Sequence, residues 1–154
     1  MSRVRELVWT ERMNPLISTE RLEQDFVIAE SSEDGRIVGC GGLRRSTSNA
    51  IVEVSSLVVA PDHRGRGIGS SLLAQLVEDA AERDLPPPYT RPRAAALLTL
   101  RSTQSFYARH GFQLADIMRT ETPLPPSLYA EFLAGQLVAR IVAGDALVLM
   151  TRAL

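Results

Sequence analysis

The order of apolar patterns predicts a mixed α/β fold, a central and mostly antiparallel sheet with helices on both faces, in a single domain over residues 1–154. Three observations carry that prediction. The run at residues 50–59 is rich in strand-forming residues, and Ala94–Leu100 is a short apolar run, so both read as strands. Between them, residues 67–83 repeat apolar side chains at helical spacing. A polar turn at residues 31–35 joins two further strand-like segments, the layout of a hairpin.

Each element has its own local reason. Val4, Leu7 and Val8 mark a short helical stripe over residues 3–13, broken at Asn14-Pro15, and residues 19–26 suit a second short helix. Residues 25–30 and 36–43 are the hairpin strands, and residues 45–49 are a turn. The strand at 50–59 is closed by Pro61. In the helix at 67–83, Ile68, Leu72, Leu73, Leu76, Val77 and Ala80 share one face. The proline-rich residues 85–92 form a loop. Ala94–Leu100 is apolar throughout, so it takes a central place in the sheet. A short helix at 102–110 stops at Gly111, placed for a C-cap, and residues 112–119 form a strand. Pro123, Pro125 and Pro126 mark a loop, after which Ser127 is placed to cap a helix carrying Leu128, Phe132, Leu137, Val138, Ile141 and Val142. Gly144 ends that helix, and residues 146–151 form the last strand.

Composition narrows the function. A length of 154 residues, 45% hydrophobic and 23% charged, suits one globular domain with a real core. A net charge of −1 gives no bulk attraction to nucleic acid or to an anionic membrane. Basic residues do cluster locally, at Arg44-Arg45, at residues 63–66 and at residues 91–93. The one cysteine, Cys40, cannot form an internal disulfide, which fits a cytoplasmic protein. Its strand-like surroundings predict a small core residue and not a nucleophile. No apolar run is long enough to span a membrane, and the N-terminus has no hydrophobic signal region. One cysteine and two separated histidines make no metal-ligand set, so no metal is expected.

The most informative stretch is His63-Arg64-Gly65-Arg66-Gly67-Ile68-Gly69. It lies between a strand and a helix, where backbone N–H groups can hold a phosphate. Glycines at alternate positions let the backbone approach the anion closely. A Walker loop is excluded, because no lysine follows Gly69 and the chain contains none. A dinucleotide fingerprint needs Gly-x-Gly-x-x-Gly and an acidic residue closing a second strand, and the spacing Gly65-x-Gly67-x-Gly69 with its proline-rich sequel does not fit. What remains is Arg-x-x-Gly-x-Gly, met by Arg64, Gly67 and Gly69.

With this motif the chain resembles the GNAT superfamily of acetyl-CoA-dependent N-acetyltransferases. The resemblance rests on the stretch from Leu57 through Arg64, Gly67 and Gly69 to Leu73, and on Phe106-Tyr107-Ala108-Arg109-His110-Gly111-Phe112. It covers residues 26–112 well. It implies the GNAT fold, with a sheet splayed at a bulge, and acetyl-CoA as co-substrate. It implies that Arg64, Gly65, Arg66, Gly67, Ile68, Gly69 and Ser70 hold the pyrophosphate. Leu57, Val58 and Val59 would offer a strand edge to the pantetheine arm, with an N–H near Val58 polarising the thioester carbonyl. Tyr107 would protonate the departing thiolate, and Phe106 would pack the core. Glu53 matches the general base of one branch, and on strand parity it shares a face with Leu57 and Val59. A water chain to solvent is the rival route for the amine's proton. His63 reads as a solvent-facing neighbour of phosphate, and His110 as a cation suited to a helix C-terminus.

Two departures matter. The family's short second-motif helix often opens with an asparagine that contacts the coenzyme; here Ser102 or Thr103 stands in that region. Family members usually begin with a strand, whereas this chain begins with a helix-like segment. Either that first strand is absent, or a partner chain, as in a homodimer, covers the open edge. The reading is a cytoplasmic N-acetyltransferase acting on a primary amine of a small molecule or peptide, by direct attack. Its rivals are a non-catalytic acetyl-CoA sensor or regulatory protein, and another nucleotide-binding α/β domain. The acceptor itself is not legible: an acidic groove would suit polyamines or basic peptides, an arginine-lined one an amino acid.

Overall fold

The computed structural model describes residues 26–45, 50–85, 91–115 and 126–154. The two N-terminal helices and the missing first strand lie outside the described residues, as do the turn near residue 46, most of the proline-rich loop and the stretch 116–125. The side chains of Ser127, Leu137 and Val142 lie outside them too.

Among the described residues, six strands hydrogen-bond in the order β1-β2-β3-β4-β6-β5. They are β1 Phe26–Glu30, β2 Ile37–Arg45, β3 Ile51–Val59, β4 Ala94–Leu100, β5 Gln113–Leu114 and β6 Leu147–Ala153. The helices are α1 Ile68–Glu82, α2 Gln104–Ala108 and α3 Pro126–Val138. β1 and β2 form the expected antiparallel hairpin, with a register shift at Ala29/Glu30. β4 runs parallel to β3 and antiparallel to β6, which places this strand, apolar but for Thr99, centrally as its composition predicted. The chain divides into two compact units, Met1–Arg44 with Val54–Asp79, and Arg45–Glu53 with Ala80–Leu154.

In the first unit α1 rides close on β2, and the glycines of β2 are the reason. A Cβ at Gly39 would lie 3.0 Å from Leu72 Cδ1, and one at Gly41 only 2.6 Å from Leu76 Cδ1. Leu72, Leu73, Leu76, Val77 and Ala80 are buried, the stripe that helical spacing predicted. Each buried leucine contributes about 1.5–3 kcal/mol relative to an exposed one. Cys40, between Gly39 and Gly41 on β2, is fully buried, and burial pushes its thiol up to about 12, so it is the inert core residue expected.

In the second unit α3 covers a cluster of Ile51, Ala96, Leu128 and Leu149, with Phe132 packed against it. Gly135 lets the helix approach β6: a Cβ there would meet Leu147 Cδ2 at 2.7 Å, and Gln136 Nε2 donates to Leu147 O at 2.6 Å. Val138 and Ile141 are exposed, because the helix is apolar on more than its core side and widens to a π turn at Ala139–Ala143. Gly144, at φ 62, closes it in the left-handed conformation.

Three local expectations need correction. α3 starts at Pro126, so Ser127 lies in its first turn and is not the cap; proline's fixed φ suits that first position. The short helix is split into a 3₁₀ turn, Arg101–Thr103, and α2. The strand expected at 112–119 begins at Gln113, which with Leu114 pairs with Thr151 and Met150, and its stretch 116–119 lies outside the described residues.

Candidate active site

β3 ends in a sharp sequence of backbone states. Ser56 has φ 55, a left-handed residue inside an extended strand. That interrupts the two-residue alternation, so parity alone does not carry across Ser56 from Glu53 to Leu57 and Val59. The parallel ladder with β4 covers Ile51–Glu53 opposite Ala94–Ala96, and Glu53 stands opposite Ala96, half-buried. Beyond Val59 the strand stays tied to β2, since Ala60 N–H donates to Val38 O at 2.8 Å.

The turn follows at once. Pro61–His63 is a 3₁₀ turn, and Gly65 and Gly67 hold φ 77 and 83. A Cβ at either would meet nothing within 4 Å, so these glycines are required by backbone conformation and not by crowding. Gly69 is the second residue of α1. The first bond inside the helix runs from Ser71 N–H to Gly67 O at 3.0 Å. The N–H groups of Gly67, Ile68 and Gly69 precede that first helical bond. The first turn of α1 carries no acidic residue, so its positive end is not neutralised from within. This backbone fits a pyrophosphate, which would sit on those N–H groups.

The side chains around the turn divide. Arg64 Nε donates to Val59 O at 2.9 Å, which ties the turn back to the strand end. Arg66 is exposed. His63 is not solvent-facing as expected: its side chain is 18% exposed, and Nδ1 lies 2.9 Å from Asp62 Oδ1. That is ion-pair distance without hydrogen-bond alignment. The histidine holds the Asp62 carboxyl below the usual carboxylate range.

In the second unit the Phe-Tyr motif forms an aromatic group. Phe106 and Tyr107 stack edge-on at 4.9 Å, Tyr107 and Phe112 at 6.2 Å, and Phe106 lies 5.1 Å from the His110 ring. Burial pushes the Tyr107 phenol above its ordinary value, and the Thr99 hydroxyl acts the other way. Thr99 is itself buried, at the inner end of β4. Arg152 brings a cation to the end of α2: its Nη1 donates to the His110 carbonyl at 2.7 Å.

Ser102 is bound to Asp145. Its N–H donates to Oδ2 at 2.9 Å, and its hydroxyl and N–H together hold the Asp145 carboxyl low. Thr103 donates to Leu100 O at 2.9 Å and lies 2.6 Å from the Thr99 hydroxyl. Sequence reasoning missed Thr99, Asp145 and Arg152. The one available signal was the even spacing of Thr99, Thr103 and Tyr107, four residues apart. Among the described residues no cluster of His, Cys, Asp and Glu could hold a metal ion, and no helix is long and apolar enough to cross a membrane.

Known proteins share this arrangement. The acetyltransferase (GNAT) domain model matches residues 23–114, well over half the chain. An amino-acid acetyltransferase of Mycobacterium tuberculosis is 32% identical over 98 residues, covering 63% of this chain and 51% of that protein. One of Shewanella oneidensis is 34% identical over 103 residues, covering 65% of this chain and 21% of that protein. The chain thus spans about half the length of the first and a fifth of the second. A Mycobacterium tuberculosis protein solved in complex with CoA superposes with a TM-score of 0.69 at 25% identity, over 98% of this chain and 92% of that one. With its sheet, its glycine turn and its Phe-Tyr segment in the order of that domain, the chain belongs to the GNAT acetyltransferase family.

Proposed function

We propose that residues 1–154 act as one N-acetyltransferase domain that moves an acetyl group from acetyl-CoA to the α-amino group of an amino acid. The observation that carries the donor half is the left-handed pair Gly65 and Gly67 opening onto the acid-free N-terminus of α1. The acceptor half is supported by the two amino-acid acetyltransferases that this chain resembles at 32% and 34% identity.

Acetyl-CoA, when bound, supplies the activated thioester. Backbone N–H groups from Gly65 to Ser70 hold its pyrophosphate, and Arg66 adds a mobile positive charge. Arg64 shapes the turn through Val59 O and contributes charge from that fixed position. Leu57, Val58 and Val59, outside the β3–β4 ladder, offer main-chain groups to the pantetheine amides, and the Val58 N–H polarises the carbonyl. Ser102 contributes only as an acceptor, because Asp145 holds its N–H and hydroxyl. Tyr107, kept neutral by burial, delivers a proton to the leaving thiolate. Glu53 takes the proton of the incoming ammonium, directly or through water.

The test is a thiol-release assay with acetyl-CoA and a panel of amino acids, polyamines and peptides. Turnover confined to amino acids is expected. Tight acetyl-CoA binding with no turnover on any amine would overturn the reading in favour of a sensor or regulatory protein.

A further inference from the structure

We infer that Asp145 and Arg152 are positioning residues that hold residues 101–111 at their two ends and so fix Tyr107 between them. The catalytic purpose of this clamp rests on Tyr107 acting as the acid; the clamp itself rests on printed backbone and side-chain bonds alone.

The segment needs outside support. α2 has five residues, and a helix that short does not hold itself in water. No N-cap side chain bonds the first turn of α2 or of the 3₁₀ turn before it. No residue of either element is fully buried, so packing anchors them less than it anchors α1.

β6 and the turn before it supply that support. At the near end, Arg101 N–H donates to Ala146 O at 2.8 Å, and Ser102 N–H donates to Asp145 Oδ2 at 2.9 Å. The other carboxylate oxygen, Oδ1, accepts from Ala146 N–H at 2.7 Å. One carboxylate thus bridges two stretches of backbone. Its own residue is seated in turn, since Asp145 N–H donates to Ala139 O at 3.3 Å. At the far end, Arg152 Nη1 donates to His110 O at 2.7 Å. His110 N–H donates to Tyr107 O at 2.9 Å, and Phe112 N–H donates to the same oxygen at 3.2 Å. The far anchor therefore sits on the backbone loop that closes on Tyr107 itself.

The frame behind both anchors is rigid. β4 and β6 pair along their full lengths, with Leu100 opposite Leu147 and Ala95 opposite Arg152. The segment leaves β4 beside the start of β6 and returns to Arg152 near its end. Asp145 and Arg152 are the two charged side chains among residues 145–154. Each meets the end that suits it, the carboxylate on backbone N–H groups and the guanidinium on a backbone carbonyl. Both contacts are charge-assisted, the stronger class of hydrogen bond. The bonds from Ser102 hold the Asp145 carboxyl below the usual carboxylate range, so it carries its charge at neutral pH.

The experiment pairs amide hydrogen exchange, followed by NMR on the full chain, with the acetyl-transfer assay. In Asp145→Ala, the amides of residues 109–112 exchange about tenfold faster, while those of the β4–β6 ladder keep their wild-type rates. Arg152→Met loosens the same amides from the other end, which keeps the test open if one variant folds poorly. Each variant lowers kcat roughly tenfold and leaves the KM for acetyl-CoA within about twofold. Asp145→Asn keeps one acceptor oxygen for Ser102 and stays within about threefold of the wild-type kcat. Added to Tyr107→Phe, Asp145→Ala costs little more, because it acts through the phenol. Wild-type exchange at residues 109–112 in both variants overturns the clamp. Equal acceleration through the β4–β6 ladder overturns it as well, since both residues then serve general stability. A full tenfold loss on top of Tyr107→Phe overturns the positioning role. If Tyr107→Phe itself keeps full kcat, the acid reading fails, and the exchange rates still decide the clamp.

Discussion

At the turn, Gly65 and Gly67 hold left-handed backbone in open space, and the groups aimed at a phosphate are main-chain N–H groups. At Tyr107, a phenol is packed edge-on against Phe106 and Phe112, and its burial raises its pKa. The turn needs few side chains and tolerates water; the tyrosine depends on side-chain partners and on dryness. A binding contact can be made by backbone alone, because phosphate charge is present before and after reaction. An acid that acts only as a thiolate forms has to be kept protonated until then, which takes a tailored environment.

The largest effect should come from breaking the second region. Tyr107→Phe removes the acid and should lower kcat by about 100-fold or more, leaving the KM for acetyl-CoA within a few-fold of wild type. The pH profile sharpens this. An acid works while protonated, and a pKa raised above 10 keeps it so through the neutral range. The alkaline fall of kcat in the wild type should therefore lie above pH 10 and be missing from the residual activity of the variant. A wild-type profile that falls near pH 8 would assign the limb to another group.

The next effect contrasts two glycines of the first unit. Gly41→Ala puts a Cβ 2.6 Å from Leu76 Cδ1 and should destabilise the fold by roughly 1–3 kcal/mol, read by denaturant midpoint, with the coenzyme KM unchanged in the folded fraction. Gly67→Val meets no atom but must adopt φ 83, at a cost of about 1–2 kcal/mol. That cost should appear as roughly a tenfold rise in the KM for acetyl-CoA. Gly67→Asn should recover much of it, because asparagine visits the left-handed region. Equal KM values for the valine and asparagine variants would mean that the turn does not hold its conformation for the coenzyme.

The same contrast explains what the sequence made legible. Gly65 and Gly67 could be found because left-handed backbone leaves a residue-type signature at fixed spacing. α1 could be found because its buried face repeats with helical period, and the central strand because both its faces are covered. Ser56 could not, since a serine at positive φ has no compositional mark, and its kink defeated the parity count from Glu53. Thr99, Asp145 and Arg152 were silent for another reason. Their partners are Thr103, Ser102 and the His110 carbonyl, and two of these contacts span more than 40 residues of chain. Nothing local in the sequence encodes such a pairing. The ends of short elements failed similarly: a five-residue α2 has too little periodicity to separate it from the 3₁₀ turn before it.

The smallest expected effect separates the two arginines of the turn. Arg66 is exposed and carries its charge on a free-swinging arm, so Arg66→Ala should raise the KM for acetyl-CoA only a few-fold. Because that contribution is long-range and solvent-screened, it should shrink as salt rises toward 1 M, where the screening length is about 3 Å. Arg64 instead binds Val59 O through Nε, a short contact that salt barely weakens. Arg64→Ala should raise KM by a similar factor, hold that rise at high salt, and lower the Tm slightly as the turn loosens from the strand. If both variants lose their effect together in salt, Arg64 acts as a phosphate ligand and not as the tie that shapes the cradle.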